Sequence, residues 1–221
     1  MGISEHVLLG LLAVTGWPST LWIPAAQADP QPLPHMNVLD CINTRRSTKT
    51  FTDRPVSREE IEQLLGTVCQ APNHRMTEPW RFYVLGPRAR RAYGEALGHR
   101  KAKRIEDAVA GKAVIEKVAQ THESLPAMVA IAVTLDENPE IREENFAAAY
   151  MGIQNLSLVA HSVGLGTHIK TGAIMDDPAA RSAVGLPEGE RIVATINIGE
   201  PDGSPDGQAR RSAAELTTWL E

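Results

Sequence analysis

The chain has 221 residues, of which 43% are hydrophobic, so it can bury the core of one domain. Its formal net charge of −5 and its pI of about 5.8 give no general attraction to nucleic acid or to an anionic membrane, and we predict neither as a partner. The basic residues between Arg88 and Arg104 are interpreted as a solvated helical face, because Glu95 lies among them and Tyr93 is the only aromatic residue there.

Residues 1–35 are predicted to be a disordered N-terminal extension of a domain formed by residues 36–221. The apolar run Val7–Val14 and the small-residue motif Ala26-Gln27-Ala28 imitate a secretory signal peptide. The extension contains no Lys or Arg, however, so the positive region that opens a signal peptide is missing. We therefore expect a cytoplasmic protein, with Met36 as a possible true start and export as the alternative.

In the first half of the chain, hydrophobic spacing and cap residues predict two helices. The first is short and contains Val38, Leu39 and Ile42, and the second is opened by the capping box Ser57-Arg58-Glu59-Glu60 and ends before Pro72. A strand over 81–85 follows, and then a helical region over 88–121 that is interrupted at Gly94, Gly98 and Gly111. The second half is predicted to hold a strand over 128–135, a helix over 140–163 ended by Gly164, a short helix capped by Asp177, a strand over 191–199, and a final helix opened by the capping box Ser212-Ala213-Ala214-Glu215. Strands and helices alternate without repeats or a clear linker, which favours one α+β domain with a mixed sheet and helices on both sides.

The predicted helix over 140–163 is apolar on most of its surface. Such a helix lies either at the centre of the fold or against a second subunit, because its face would otherwise form a large exposed patch. Its small residues Ala147, Ala148, Gly152 and Ser157 are predicted to let a partner helix approach closely.

Cys41 and Cys69 lie among apolar neighbours and are predicted to be buried free thiols, with a disulfide possible only if their two helices lie side by side. Neither belongs to a CxxC motif or a Cys/His cluster, so we predict no metal site. Trp80 is interpreted as a core residue.

Two adjacent arginines and a hydroxyl follow the first predicted helix, in the segment Thr44-Arg45-Arg46-Ser47. Guanidinium groups bind phosphate oxygens through paired, charge-assisted hydrogen bonds, and a serine hydroxyl adds one more. The segment therefore predicts a compact anion site. Three further motifs follow it in order: Ala71-Pro72-Asn73-His74, then Glu78-Pro79-Trp80-Arg81-Phe82, and near the end Gly164-Leu165-Gly166-Thr167-His168-Ile169-Lys170-Thr171-Gly172.

This ordered set resembles the nitroreductase family of flavin enzymes, in particular its small, single-domain bacterial members. The family has Arg-Arg-Ser after a short first helix, and then an Ala-Pro motif that leads to Pro-Trp-x-Phe and the first long strand. Residues 36–201 follow that pattern in order and spacing. The resemblance implies a three-layer α/β/α fold with a mixed, mostly antiparallel sheet, and a domain-swapped homodimer with FMN at the subunit interface.

The resemblance also implies which residues hold the cofactors. The phosphate and ribityl end of FMN would be held by Arg45, Arg46 and Ser47. The flavin would lie against Gln70 and His74 and be closed over by Ile169, Lys170 and Thr171, with Lys170 adding a cation near the phosphate. The nicotinamide nucleotide would meet Val159, Ala160, His161, Ser162, Val163 and Gly164. The alternatives are an ion pair of Arg46 with Asp53 or Glu59, a solvated loop histidine for His74, and a buried helix for residues 159–164.

The sequence contains no GxSxG elbow, no Walker loop, no GxGxxG after a strand and no HExxH, which favours a cofactor that carries the chemistry. The resemblance implies ping-pong transfer of electrons from NADH or NADPH, through FMN, to a nitroaromatic, quinone or similar small acceptor, with no catalytic side chain. The alternatives are a flavin-dependent dehydrogenase or dehalogenase on the same scaffold, a non-enzymatic flavin-binding protein, and a helical interaction module.

Overall fold

The computed structural model describes residues 36–203 and 206–221, and the predictions about residues 1–35 lie outside this part of the chain. The helices and strands in chain order are α1 (Val38–Thr44), α2 (Arg58–Val68), β1 (Trp80–Val84), α3 (Pro87–Ala102), α4 (Ala108–Glu123), β2 (Ala127–Thr134), α5 (Pro139–Ser162), β3 (Gly166–Lys170), α6 (Pro178–Val184), β4 (Glu190–Gly199) and α7 (Ala213–Leu216). Both predicted capping boxes are present, at Ser57 and at Ser212. None of the described helices has the length and apolar content needed to cross a membrane.

The four strands form one sheet in the order β1-β2-β4-β3, with every neighbouring pair antiparallel. Side chains of β2 alternate between its faces: Val129 and Ile131 pack with α2 and α5, whereas Met128 and Ala130 pack with α3 and α6. Because both faces are covered, β2 is an almost unbroken apolar run. This confirms the predicted α+β fold with helices on both sides of the sheet. The sheet was predicted to be mixed, but its four strands are antiparallel, and a parallel pairing occurs only at the isolated bridge between Ser47 and Thr167 among the described residues.

The prediction that glycines interrupt the helical region over 88–121 is wrong. Gly94 and Gly98 lie inside α3, where they let α4 pack closely. A Cβ atom on Gly94 would come 2.8 Å from the Cα atom of Ala119, and one on Gly98 would come equally close to the α4 backbone. Gly111 lies inside α4, and the region is interrupted instead before Asp107, whose carboxylate caps α4.

The long helix α5 is confirmed, but the use predicted for its small residues is mostly wrong. Of the four, only Ala147 is exposed. Gly152 faces α2 of the same chain, since a Cβ atom there would come 2.5 Å from Cγ1 of Val68. Ser157 is buried and donates its hydroxyl to the carbonyl of Ile153. These residues therefore allow close packing within one chain.

Several large apolar side chains remain exposed within one chain. They belong to α1, to the outer face of α5 and to the C-terminal tail: Val38, Leu39, Ile42, Tyr150, Met151, Leu216, Trp219 and Leu220. The tail is the extreme case, with Trp219 88% and Leu220 91% exposed. Apolar side chains exposed to this extent are typical of an interface.

The cysteine prediction holds for one residue only. Both thiols are free, and Cys41 is buried, but Cys69 is exposed. Cys69 lies just past the end of α2, beyond the last residue that α2 buries. Trp80 is in the core, where it packs with Ala71 and Ala148.

Candidate functional site

The segment after α1 is fastened to the outer edge of the sheet. Ser47 forms a parallel β-bridge with Thr167 of β3, and the amide of Thr48 donates to the Thr167 carbonyl at 2.9 Å. The Thr48 side chain is buried against Gly166, where a Cβ atom would collide with it. Since side chains of an extended segment alternate, Ser47 and Lys49 both point away from the core.

A cavity of about 770 Å³ lies beside this segment and is lined by four cationic side chains, Arg45, Arg46, Lys49 and Arg210. The lining also includes Ser47 and Gln208, and the carboxylates of Asp202 and Asp206. Positive groups outnumber negative ones, and guanidinium groups offer the paired donors that phosphate oxygens accept. The cavity therefore suits an anion of the phosphate type.

The structure brings the predicted residues Arg45, Arg46 and Ser47 together in one cavity, and it adds residues that the sequence did not reveal. Lys49 could have been found, because in an extended segment it lies on the same face as Ser47. Arg210 could not, because only the tertiary fold brings the tail to the end of α1.

The two arginines differ in how many hydrogen bonds each guanidinium donates to other described residues. Arg46 Nη1 donates to the carbonyls of Asn43 at 2.7 Å and Arg45 at 3.0 Å, so it caps the end of α1 and pairs with neither of the predicted carboxylates. The backbone of Gly207 lies against the same group, since a Cβ atom there would come 2.8 Å from Nη2. The Arg45 side chain makes no hydrogen bond to other described residues, which leaves it available to a ligand.

A smaller cavity of about 90 Å³ adjoins the first and is lined by Arg45, Arg46 and His161 among others. Thr44 Oγ1 lies 2.8 Å from His161 Nε2 and donates its proton to the Asp40 carbonyl, so His161 donates to Thr44. Burial lowers the pKa of His161, and the nearby guanidinium groups lower it further. His161 is therefore a neutral donor at neutral pH.

Most of the stretch predicted to meet the nicotinamide nucleotide packs into the chain. Ala160 is buried, and Val159 and Val163 pack against the same hydrophobic cluster. Gly164, with φ 81°, ends α5. Among the described residues of this stretch, His161 is the one that lines a cavity.

The predicted flavin-edge residues Gln70 and His74 are exposed and lie apart from the cationic cavity. His74 Nδ1 lies 3.0 Å from Oε1 of Glu144 on α5, and Arg75 Nε donates to Oε2 of the same carboxylate at 2.9 Å. This loop is thus tied to the N-terminal half of α5. It includes two non-glycine residues with positive φ, Met76 and Glu78.

The predicted residues at the end of β3 point in different directions. Ile169 packs against the hydrophobic cluster under α5, and Thr171 is exposed. Lys170 lies on the opposite face of the sheet, where its Nζ is 3.2 Å from Nε2 of His122 in α4. No pattern in the sequence indicates His122, because α4 and β3 are distant in the chain.

The described fold is an α+β sheet covered on both faces, with a cationic cavity at its outer edge. The sequence model described as the Nitroreductase family matches residues 42–200, which contain the Arg45-Arg46-Ser47 segment and all four strands. The chain belongs to the nitroreductase family, as the sequence predicted.

Relatives and solved structures agree with this assignment. The chain is 34% identical over 187 residues to YfhC of Bacillus subtilis (strain 168), which carries the name of an NAD(P)H nitroreductase; the match covers 84% of this chain and 95% of YfhC. A nitroreductase-like family protein from Bacillus cereus superposes with a TM-score of 0.73 at 30% identity, covering 84% of this chain and 97% of that one. A Desulfovibrio desulfuricans protein described as a nitroreductase and solved in complex with FMN gives a TM-score of 0.63 at 25% identity, covering 83% and 96%.

Proposed function

We propose that the protein is an FMN-dependent oxidoreductase that uses NADH or NADPH to reduce nitroaromatic, quinone or similar small acceptors. The observation that carries the proposal is the cationic cavity, whose charged groups come from the family motif and from the tail. Bound FMN would supply the redox chemistry, taking a hydride from the reduced nicotinamide and delivering the electrons to the acceptor in a second step. The protein's own residues bind, orient and shield the reactants.

The residues of the cavity fit the phosphate end of FMN. The free guanidinium of Arg45, the hydroxyl of Ser47 and the cations Lys49 and Arg210 would hold the phosphate oxygens. Arg46, fixed by two carbonyls, would shape the floor of the site and add charge. The site therefore has both the donors and the excess positive charge that a phosphate monoester requires.

His74 is too far from the cationic cavity for both to serve one flavin within one chain. His74 contacts Glu144 near the start of α5, whereas His161 near its end borders the cationic cavity. At 1.5 Å per residue, these two positions on α5 are separated by about 25 Å, farther than one FMN reaches. A site shared between two copies resolves the separation, because His74 of one copy would then meet the flavin held by Arg45 of the other.

The exposed apolar residues support such a pairing. Tyr150 and Met151 on α5 would be covered by a symmetric partner, and the tail with Trp219 would cross onto that partner. A domain-swapped homodimer of this kind should bury more than about 2,000 Å² in total. Its disruption should release FMN.

A visible spectrum of the purified protein tests the proposed function directly. We expect the yellow absorbance of bound FMN, bleached under anaerobic conditions by NADH or NADPH and restored by a nitroaromatic or quinone. A colourless protein that takes up no added FMN would refute the proposal. Bound FMN that stays oxidised with both nucleotides would favour a non-enzymatic flavin-binding protein.

Sedimentation of charge-substituted variants tests the dimer. The parent protein should sediment at twice the chain mass, and Tyr150→Glu with Met151→Glu should shift it to the monomer with loss of FMN. Val109→Glu is the control, because Val109 is an apolar residue on α4 that is even more exposed than Tyr150 and Met151. A parent monomer that binds FMN tightly would exclude the shared site.

A further inference from the structure

Lys170 is a cation for which the described residues provide no counter-ion. It is the last residue of β3, paired with Thr195 of β4, and its side chain is half-buried. Its Nζ contacts His122 Nε2 at 3.2 Å, and no described carboxylate pairs with it. Burial lowers the pKa of the ammonium, and repulsion by Lys101 lowers it further. A partly desolvated charge in such a position is costly unless something negative joins it.

The histidine that holds this cation is fixed in one tautomer. His122 is 4% exposed, and its Nδ1 lies 2.7 Å from the carbonyl oxygen of Val118. A carbonyl can only accept, so Nδ1 carries the proton and Nε2 presents a lone pair to the Lys170 ammonium. The ring also packs against Tyr93, with ring centroids 5.9 Å apart. His122 is thus a neutral acceptor that is rigidly aimed at Nζ.

The described charged groups that act on His122 and Lys170 are lysines. Lys101 acts on both His122 and Lys170, while Lys170 and Lys49 act together on His168. Cations elsewhere in the chain do pair with carboxylates, as Arg91 does with three glutamates. The absence of any such carboxylate beside Lys170, among the described residues, indicates that its partner comes from a ligand.

The position of Lys170 relates it to the cationic cavity. β3 begins beside Ser47, through the bridge at Thr167, and Lys170 lies three residues further along the strand. At about 3.3 Å per residue, this is a distance of about 10 Å. That distance is comparable with the reach of a ribityl phosphate chain, so a flavin anchored at the cavity can bring its ring to the end of β3.

We propose that His122 is a positioning residue that holds the Lys170 ammonium ready for the negative charge that the bound flavin gains on reduction. The proposal rests on the proposed function. The FMN held by Arg45, Ser47 and Lys49 would supply hydride acceptance: two electrons and one proton would come from a reduced nicotinamide, which would be left oxidised, and the neutral flavin ring would gain one negative charge. Lys170 would then have the counter-ion that none of the described residues provides.

The midpoint potential of bound FMN, measured together with the affinities for oxidised and reduced FMN, tests the proposal. Lys170→Met should weaken binding of reduced relative to oxidised FMN by about tenfold, which lowers a two-electron midpoint potential by about 30 mV. Lys170→Arg should retain most of the parent value, because it keeps the charge. His122→Leu should lower the potential part of the way, and His122→Gln, whose amide oxygen can accept from Lys170, should restore it.

Lys112→Met is the matched control, since Lys112 is an exposed lysine on α4 without a salt bridge to described residues. It should leave the potential unchanged. If Lys170→Met leaves the midpoint potential of bound FMN at the value of the parent protein, the proposal is overturned. If Lys170→Met does not fold, an unchanged midpoint potential in His122→Leu overturns it instead. A parent protein that binds no FMN would refute the proposed function itself, and this result is separate because it needs no variant.

Discussion

The two ends of the candidate site are built in opposite ways. The phosphate end consists of two exposed cations, Lys49 and Arg210, and two half-buried ones that are adjacent in the sequence, Arg45 and Arg46. The other end is the buried His122 with the half-buried Lys170, a pair assembled from distant parts of the chain. The comparison shows that a charged anchor can be recognised from a motif, whereas a buried pair of this kind becomes visible only in the fold.

The largest expected effect concerns the exposed end. Arg45→Ala combined with Arg210→Ala removes two charge-assisted contacts with phosphate, so FMN affinity should fall by about 3 kcal/mol or more, roughly a hundredfold. Riboflavin, which lacks the phosphate, should bind the variant and the parent alike. Arg46 is left in place because it also caps α1.

Equilibrium titration with both ligands measures this effect. Arg88→Ala, at an exposed arginine at the start of α3, is the control and should change neither affinity. Equal losses of affinity for FMN and riboflavin would show that the cavity does not bind a phosphate. The comparison between the two ends of the site would then be wrong.

The second effect concerns the pH dependence of stability at the buried end. Burial lowers the pKa of His122 from 6.5 to about 4. The contribution of this neutral histidine is complete above pH 6.5 and is lost as the pH falls from 6.5 towards 4, because the unfolded chain then binds a proton that the folded chain excludes. The free energy of unfolding should fall by up to about 3 kcal/mol from this group alone.

Denaturant unfolding at several pH values between 4 and 7 measures that slope. Among the described residues, the groups that face His122 are Lys170, Lys101 and Tyr93. His122→Gln should flatten the curve, and His99→Gln, at an exposed histidine on α3, should not. A parent slope retained in His122→Gln would assign the pH dependence to other groups.

The smallest expected effect is a salt-dependent loss of FMN affinity at the phosphate end, which distinguishes that end from the pair His122 and Lys170. Lys49→Met should weaken FMN binding by about 1 kcal/mol at low salt, roughly fivefold, because Lys49 is exposed. The loss should nearly vanish at about 1 M salt, where charges are screened within about 3 Å. The change in the midpoint potential of bound FMN caused by Lys170→Met should persist at the same salt concentration. If that change disappeared, the Lys170 charge would be exposed to solvent.

Local chemistry explains which features the sequence could predict. The capping boxes at Ser57 and Ser212, and the turn at Gly164, depend on a few neighbouring residues, so those helices were predicted close to their observed limits. Strand β3 was missed because it is short and of mixed polarity, and its strand conformation depends on pairing with β4.

Features that depend on a distant surface were misread or missed. Gly94 and Gly152 suggested a helix break and a partner contact, but each serves close packing with another helix of the same chain. Cys69 looked buried because its neighbours are apolar, although the helix ends before it. Arg210 and His122 reach the site only after the chain has folded.

The β-bridge between Ser47 and Thr167 has a consequence for aggregation. β3 is an edge strand, and the segment that carries Arg45 covers its outer side. An uncovered edge offers unpaired amide and carbonyl groups to the edge of another molecule. A ligand that holds this segment against the sheet would therefore reduce edge-to-edge association between molecules. Flavin-depleted protein should accordingly become turbid at a lower temperature than flavin-loaded protein.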